Sequence, residues 1–149
     1  GWDGYPSARA RLLAAAQKAD ADLVTPSGDS HNAWAFDLSN DGRPAGIEVG
    51  GHSVTSPGFE AYTPGVPDAT RVSALRAASP QLRWANTQDR GYVSVQLTRD
   101  RVTANWHNLE TIRTRTPTLK ATHSMTATRG REHHGLIAGP ERVGLDSGC

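Results

Sequence analysis

A short apolar segment that leads directly into a polar, glycine-containing loop is the feature that most constrains the fold of this chain. Residues 23–25 (Leu-Val-Thr) predict a strand, and Gly28-Asp29-Ser30-His31 follow it almost at once. We expect Gly28 to let the backbone turn sharply. A rigid strand ending in such a loop presents Asp29 and His31 to a ligand. The alternative is ordinary turn chemistry, in which Asp29 caps a backbone amide and His31 lies on the surface.

The residues before this strand predict a helix. Residues 7–19 are rich in good helix formers, and Pro6 suits a first helical turn. Leu12, Leu13 and Ala16 form its apolar stripe. A helix, a strand and a ligand loop in this order indicate an α/β arrangement, in which ligands bind at the carboxyl ends of the strands.

A hairpin follows the loop. Residues 33–38 and 44–49 predict two strands, and the Asp-Gly pair at 41–42 between them is a strong hairpin signal. Trp34 and Phe36 lie two positions apart and therefore share a face, which we predict to be the core face. Residues 50–58 form a second glycine-rich loop, whose amides and hydroxyls suit an anion. A plain surface loop is the alternative.

The rest of the chain predicts one more helix and a β-rich region. Residues 67–79 predict a helix, ended by Pro80, with an inner stripe formed by Val72, Leu75 and Ala78. Further strands are predicted at 82–86, 91–98, 102–112 and 119–125, the second and third of them as an antiparallel meander at a sheet edge. Residues 127–149 are rich in Gly, Arg and His without an apolar stripe, so we expect an extended or partly disordered tail.

Composition excludes several classes of function. Sixteen Lys and Arg are offset by 15 Asp and Glu with no basic block, so no nucleic-acid-binding surface is predicted. No apolar run approaches the roughly 20 residues of a membrane span. The single cysteine, Cys149, cannot form an internal disulfide and is predicted to be a tail thiol. Trp2 and Tyr5 normally favour burial, so we expect the chain to begin at a cut through a longer protein.

Two of the six histidines lie on glycine-bearing loops. No pair has the spacing of a zinc site, and the Gly-x-Ser-x-Gly pattern of serine hydrolases is absent. His133 and His134 are predicted to be solvated in the tail, and His107 to be a surface or packing residue of an edge strand. His31 and His52 remain as candidate functional histidines.

A series of short blocks carries a family resemblance. In order, they are Trp-Asp-Gly-Tyr at 2–5, Ser-Gly-Asp-Ser-His-Asn-Ala-Trp-Ala-Phe-Asp-Leu at 27–38, Ile-Glu-Val at 47–49, Ser-Val-Thr-Ser-Pro-Gly at 53–58, Leu-Arg-Trp-Ala-Asn at 82–86 and Arg-Gly-Tyr-Val at 90–93. Their order and spacing resemble the carboxy-terminal part of PhoD-like alkaline phosphatases. The resemblance covers residues 1–126 and leaves 127–149 as a tail. It implies an α/β (α+β) fold, the C-terminal half of a metallophosphoesterase sandwich of mixed β-sheets flanked by helices.

The resemblance also implies an activity and a site. Members of the family are metal-dependent hydrolases of phosphate monoesters and diesters that hold calcium and iron, and they are secreted or periplasmic. Asp29 matches the family's metal-ligating aspartate, and His31 matches the histidine that contacts the phosphoryl group or its hydroxide. Asn86 and Asp89 lie near the family's second C-terminal block, where the resemblance implies another acidic or amide metal ligand, and we predict Asn86 to be that ligand. His52 falls where family members carry a small or polar residue, so no role is carried over to it.

The resemblance does not extend to the family's amino-terminal half, which supplies most of its metal ligands. One aspartate and one histidine cannot hold a metal cluster, because affinity falls steeply as ligands are removed. We therefore expect this chain alone to be incomplete as an enzyme and to need that half, from the same protein or from a separate chain. The alternatives are a non-catalytic β-rich interaction fragment and an anion-binding loop at residues 50–58.

Overall fold

Two β-sheets packed face to face form the scaffold of the computed structural model, which describes residues 2–115, 118–130, 135–139 and 142–143. The first sheet has the strand order β1-β3-β2-β4. Its strands are β1 (Val24–Ser27), β2 (Ala33–Asn40), β3 (Arg43–Gly50) and β4 (Leu82–Asn86). Strand β1 runs parallel to β3, and the other neighbours are antiparallel, so the sheet is mixed. The predicted hairpin at Asp41-Gly42 is confirmed.

The predicted meander belongs to a separate second sheet. Its strands are β5 (Gly91–Leu97), β6 (Arg101–Leu109), β7 (Leu119–Thr128), β8 (Ile137–Ala138) and β9 (Arg142–Val143). Strand β6 pairs with β5 on one side and β7 on the other. The prediction that His107 lies in an edge strand is therefore wrong, because β7 covers the second side of β6.

Two α-helices accompany the sheets. They are α1 (Pro6–Lys18) and α2 (Asp68–Ala78), and short 3₁₀ turns occupy Trp2–Gly4 and Phe59–Ala61. Leu13 of α1 is buried against Leu38 and Ala45, on the face of the first sheet that points away from the second sheet. Leu12, predicted in the same stripe, is 47% exposed. Among the described residues, neither α-helix combines the length and the apolar character that crossing a membrane requires.

The main core lies between the two sheets. It is formed by the buried residues Ala33, Ala35, Ile47 and Val49 of the first sheet, with Val102, Ala104, Trp106, Met125, Ala127 and Leu136. Trp106 is fully buried at its centre and donates a hydrogen bond from Nε1 to the Gly50 carbonyl (2.8 Å). The alanines leave room for this indole, as the close packing of protein interiors requires.

The core face of β2 is the opposite of the predicted one. Ala33 and Ala35 point into the core, whereas Trp34 and Phe36 are half-buried on the other face. There the Trp34 ring lies 6.1 Å from Phe36 and 5.8 Å from Phe59. Alternation reveals which residues share a face but not which face is covered. The bulky indole of Trp106 decides this, because it faces the small residues.

The inner side of α2 also differs from the prediction. Arg71 is buried, whereas Ala78 is exposed and Val72 and Leu75 are only half-buried. The Arg71 guanidinium donates hydrogen bonds to the Thr87 hydroxyl (2.8 Å) and to Gln88 Oε1 (2.6 Å). These bonds satisfy buried N–H donors of the guanidinium and attach the helix to the segment that follows β4, and Asp68 pairs with the charge (3.5 Å).

Part of the predicted tail is ordered structure. Leu136 is buried in the core, and β8 and β9 pair with β7, which itself runs across residue 126. The predicted roles of Cys149, His133 and His134 lie outside the described residues. The division of the chain at residue 126 stays a prediction.

Candidate functional site

The carboxyl ends of three strands meet at one end of the first sheet. Ser27 pairs with Gly50 where β1 and β3 end, and Ala33 pairs with Asn86 where β4 ends. The loops that follow these strands are residues 28–32, 51–58 and 87–90. The sheet thus brings the Asp29–His31 loop and Asn86 to the same edge. This end of an α/β sheet is where ligands usually bind.

The Asp29–His31 loop has an unusual backbone. Asp29 and His31 have φ values of 66° and 61°, in the left-handed region that non-glycine residues seldom occupy. Each such residue costs on the order of 1–3 kcal/mol, and such residues cluster at functional sites. The predicted role of Gly28 is wrong: its φ lies outside that region, and within the described part of the chain no atom comes within 4 Å of an added Cβ.

A second segment holds this loop in place. Asn32 is fully buried, donates from Nδ2 to the Ser30 carbonyl (2.5 Å) and accepts at Oδ1 from the Phe59 amide (3.0 Å). The Trp34 indole donates to Ser30 Oγ (2.5 Å). These bonds fix the loop from both sides, which lets the strained conformation persist.

The imidazole of His31 is oriented by a backbone carbonyl. Its Nδ1 lies 2.8 Å from the carbonyl oxygen of Pro57. A carbonyl oxygen only accepts, so Nδ1 must carry the hydrogen. The neutral ring is therefore protonated at Nδ1, and its Nε2 keeps a free lone pair. Backbone carbonyls fix the tautomer of metal-binding and catalytic histidines in this way.

Asp29 is the second candidate side chain of the loop. Its carboxylate is exposed and, among the residues that the structure describes, has neither a hydrogen-bond partner nor an ion-pair partner. A carboxylate oxygen and an imidazole nitrogen are both suitable metal donors. However, the described residues contain no group of three or more His, Cys, Asp or Glu able to hold a metal ion. Asp29 and His31 could therefore supply part of a metal's ligands, but the described residues do not supply a complete set.

Asn86 lies at the same edge of the sheet as the Asp29–His31 loop, but its carboxamide forms hydrogen bonds within its own turn. Its Oδ1 accepts from the amides of Gln88 (3.0 Å) and Asp89 (2.8 Å), and its Nδ2 donates to Asp89 Oδ2 (2.9 Å). The Asp89 carboxylate also pairs with Lys120 (3.0 Å). These contacts fit a turn-forming role. A metal-binding role for Asn86 or Asp89 stays a prediction.

The glycines of the second loop are explained by packing. A Cβ on Gly50 would lie 2.8 Å from the Trp34 ring, and one on Gly58 would lie 2.5 Å from Asn32 Oδ1. The Ser53 hydroxyl donates to the Ser56 carbonyl (2.5 Å). Close contacts with β2 and the first loop account for Gly50 and Gly58, so an anion is not needed to explain these two glycines.

His52 belongs to the second loop, and its side chain is buried against Asn108 of β6. Its Nε2 donates to Asn108 Oδ1 (3.0 Å), and its Nδ1 has no hydrogen-bond partner within the described ranges. Burial lowers the pKa of His52 despite the opposing effect of the Asn108 hydrogen bond, and the nearby Arg90 charge also lowers it. His52 is therefore held as a neutral packing residue.

The buried His52 predicts a pH-dependent stability. Its ordinary pKa is 6.5, and the lowered value in the fold means that the unfolded chain binds more protons below this pH. The free energy of unfolding should fall as the pH decreases from about 7 to 5. His52→Gln keeps a donor for Asn108 but does not titrate, so its unfolding free energy should depend less on pH. Urea denaturation at several pH values tests this, and an unchanged slope in the variant would contradict it.

Sequence reasoning missed three residues around the loop. The buried Asn32 bonds the loop to Phe59, the half-buried Glu60 bonds the neighbouring Gly58 amide, and the buried Arg90 pairs with Glu60. The short distance of Asn32 from the motif is a signal that could have found it. Arg90 begins the Arg-Gly-Tyr-Val block, but its pairing with Glu60, 30 positions away, has no local signal.

Comparisons with known proteins agree on one family. A family model described as PhoD-like phosphatase matches residues 1–106. A solved structure described as "Structure of PhoD" matches with a TM-score of 0.76 and 20% sequence identity, covering 99% of this chain and 28% of that chain. The chain therefore spans less than a third of that protein's length, and the likeness shows the fold. The search of curated proteins returned no significant match.

Proposed function

Because the chain belongs to the PhoD-like phosphatase family, we propose that it supplies Asp29 and His31 to the active site of a metal-dependent phosphoesterase. The substrates would be phosphate monoesters and diesters, and the family setting would be secreted or periplasmic. The observation that carries the proposal is the loop itself. Asp29 and His31, separated by Ser30, are held in the left-handed conformation where three strands end, and the neutral His31 ring has the lone pair of its Nε2 free.

The chemistry of the two side chains fits phosphoryl transfer. Calcium and iron, when bound, would polarise the phosphoryl oxygens and lower the pKa of a bound water. Asp29 offers the hard oxygen donor that calcium prefers. The neutral His31 ring can accept a proton at Nε2, and the protonated ring can donate one there to a phosphoryl or leaving-group oxygen. The bond to Pro57 is kept in both states, so the ring does not rotate between them.

The remaining ligands would come from outside this chain. Support comes from the donor count, since the described residues hold no cluster of three ligands. It also comes from length, since the chain covers 28% of the matched PhoD structure. The partner would be the rest of the phosphatase domain, in the same protein or as a separate chain.

Hydrolysis assays test the proposal directly. The chain would be assayed with calcium and iron on p-nitrophenyl phosphate and bis-p-nitrophenyl phosphate, alone and completed with the remaining part of a PhoD-like domain. We expect turnover only in the completed protein, and loss of it after chelation. Turnover by the chain alone would overturn the need for outside ligands. A folded, metal-loaded completed protein that hydrolyses neither ester would favour the non-catalytic interaction module.

Metal content gives a separate test of Asp29. We expect Asp29→Asn to lower the metal bound per completed protein, because an amide is a weaker, uncharged donor. Asn tolerates the left-handed conformation, so the loop should keep its shape. Asp41→Asn is the matched control, since Asp41 is also exposed, with a φ of 51°, but lies in the hairpin turn. Equal metal content in both variants would exclude Asp29 as a ligand.

A further inference from the structure

We propose that Glu60 and Arg90 are positioning residues for His31 and act through the peptide group between Pro57 and Gly58. The role rests on the proposed phosphoesterase site, because it concerns how His31 is held for catalysis. None of the three side chains is close in sequence to the other two. The contacts form a continuous path from the second sheet to the imidazole.

The path begins at a fixed arginine. Arg90 is 6% exposed and precedes β5 directly. Its guanidinium donates to the Asp89 carbonyl (2.7 Å) and pairs with the Glu60 carboxylate, and its own carbonyl accepts from the Leu109 amide (2.8 Å). A buried guanidinium with these partners has little freedom to move.

Glu60, held by Arg90, accepts a hydrogen bond from the backbone of the second loop. Its Oε1 and Oε2 lie 3.2 and 3.1 Å from the Gly58 amide nitrogen. Burial alone would raise the pKa of Glu60, but the hydrogen bonds from Arg90 and Gly58 lower it below its ordinary value. The side chain is therefore a carboxylate at neutral pH, and its bond to the Gly58 amide is charge-assisted.

The peptide group between Pro57 and Gly58 connects Glu60 to His31. The Pro57 carbonyl and the Gly58 N–H belong to one planar unit, so fixing the direction of one fixes the other. Glu60 holds the N–H, and the carbonyl accepts from His31 Nδ1 (2.8 Å). Gly58 also packs closely on the first loop, with its Cβ position 3.1 Å from the His31 carbonyl oxygen.

The consequence is control of the His31 tautomer. A fixed Pro57 carbonyl favours the neutral ring with hydrogen on Nδ1 and directs Nε2 away from the second loop. If the peptide group is free to rotate, the competing tautomer, with hydrogen on Nε2, becomes populated and cannot accept a proton there. Glu60 and Arg90 would thus act on turnover without touching substrate.

The experiment compares three variants in the completed protein. Glu60→Ala removes the link, Glu60→Gln keeps one acceptor oxygen, and Glu110→Ala removes a carboxylate that lines the same cleft as Glu60 and Arg90. The readouts are the imidazole nitrogen shifts of His31 by NMR at a pH where the ring is neutral, together with kcat and KM. We expect Glu60→Ala to mix the two tautomers and lower kcat by roughly 10–100-fold with little change in KM. Compared with Glu60→Ala, Glu60→Gln should show less mixing of the tautomers and a smaller loss of kcat. Glu110→Ala should change neither the His31 nitrogen shifts nor kcat.

The nitrogen shifts separate this inference from the proposed function. Unchanged His31 shifts in a folded Glu60→Ala variant would overturn the positioning role, whatever the activity. Altered shifts in a completed protein that hydrolyses no ester would support the positioning of the ring and overturn the phosphoesterase proposal. Where Glu60→Ala does not fold, Arg90→Lys supplies the same test, since it keeps the charge but loses the planar fork. Unchanged His31 shifts in that variant would also count against the path.

Discussion

His31→Asn is expected to lower phosphate-ester hydrolysis by the completed protein by roughly 10²–10⁴-fold, the range typical of a lost proton-transfer group. The asparagine nitrogen reaches the position of Nδ1 and can keep the hydrogen bond to the Pro57 carbonyl. Asparagine also tolerates the left-handed backbone of this position, where φ is 61°. The variant therefore removes Nε2 and leaves the loop intact. The measurement is kcat on p-nitrophenyl phosphate beside a thermal unfolding curve.

His31→Gln is the complementary variant. Its longer side chain places a polar group nearer to the position of Nε2 but loses the donor to Pro57. We expect it to lose activity as well and, unlike the asparagine variant, to lower the unfolding temperature. A His31→Asn variant with normal turnover would show that Nε2 takes no part in the reaction. The loop would then be a structural remnant.

Local features of the chain were predictable from sequence, because short-range chemistry determines them. Strand β4 was predicted with its observed bounds, and the Asp41-Gly42 hairpin follows from turn chemistry. The α/β class and the family also follow from the ordered blocks, since the family model matches residues 1–106. The position of Asp29 and His31 after a strand end was equally visible.

Long-range packing was not predictable. Either Trp34 and Phe36 or Ala33 and Ala35 could have faced the core, and only the buried Trp106 on another sheet decides between them. Period-two alternation contains no information about what covers a face. Leu136 lies in a segment without a stripe, yet its side chain is buried in the core and its amide donates to Asp37 (2.8 Å).

The same limit applies to the candidate site. The residues that carry the motif were visible, but the contacts that orient them were not. The bond between His31 and Pro57 spans 26 positions, and the ion pair between Glu60 and Arg90 spans 30. The sequence predicts the sharp turn at Gly28, because glycine is the usual residue at positive φ, but the positive φ values lie at Asp29 and His31. A functional loop departs from that rule when surrounding contacts hold it in place.

Trp106→Ala is expected to destabilise the fold by about 3–5 kcal/mol, the range for a large aromatic removed from a packed core. Trp106 is fully buried, and its ring lies 5.0 Å from that of Trp84, so the cavity would open between the two sheets. That loss is a large part of the roughly 5–15 kcal/mol that stabilises a typical domain. Urea denaturation of the chain, followed by tryptophan fluorescence and circular dichroism, measures it.

Trp106→Phe separates the two contributions of this residue. It keeps most of the apolar volume but leaves the Gly50 carbonyl without its donor (2.8 Å), at a cost of about 1–3 kcal/mol for an unpaired buried acceptor. Gly50 ends β3 and begins the segment that holds His31 through Pro57, so the Phe variant should also disturb the His31 nitrogen shifts. A variant that loses stability with unchanged shifts would show that the core and the loop are energetically independent. A loss below about 1 kcal/mol for Trp106→Ala would contradict the central position of this indole between the sheets.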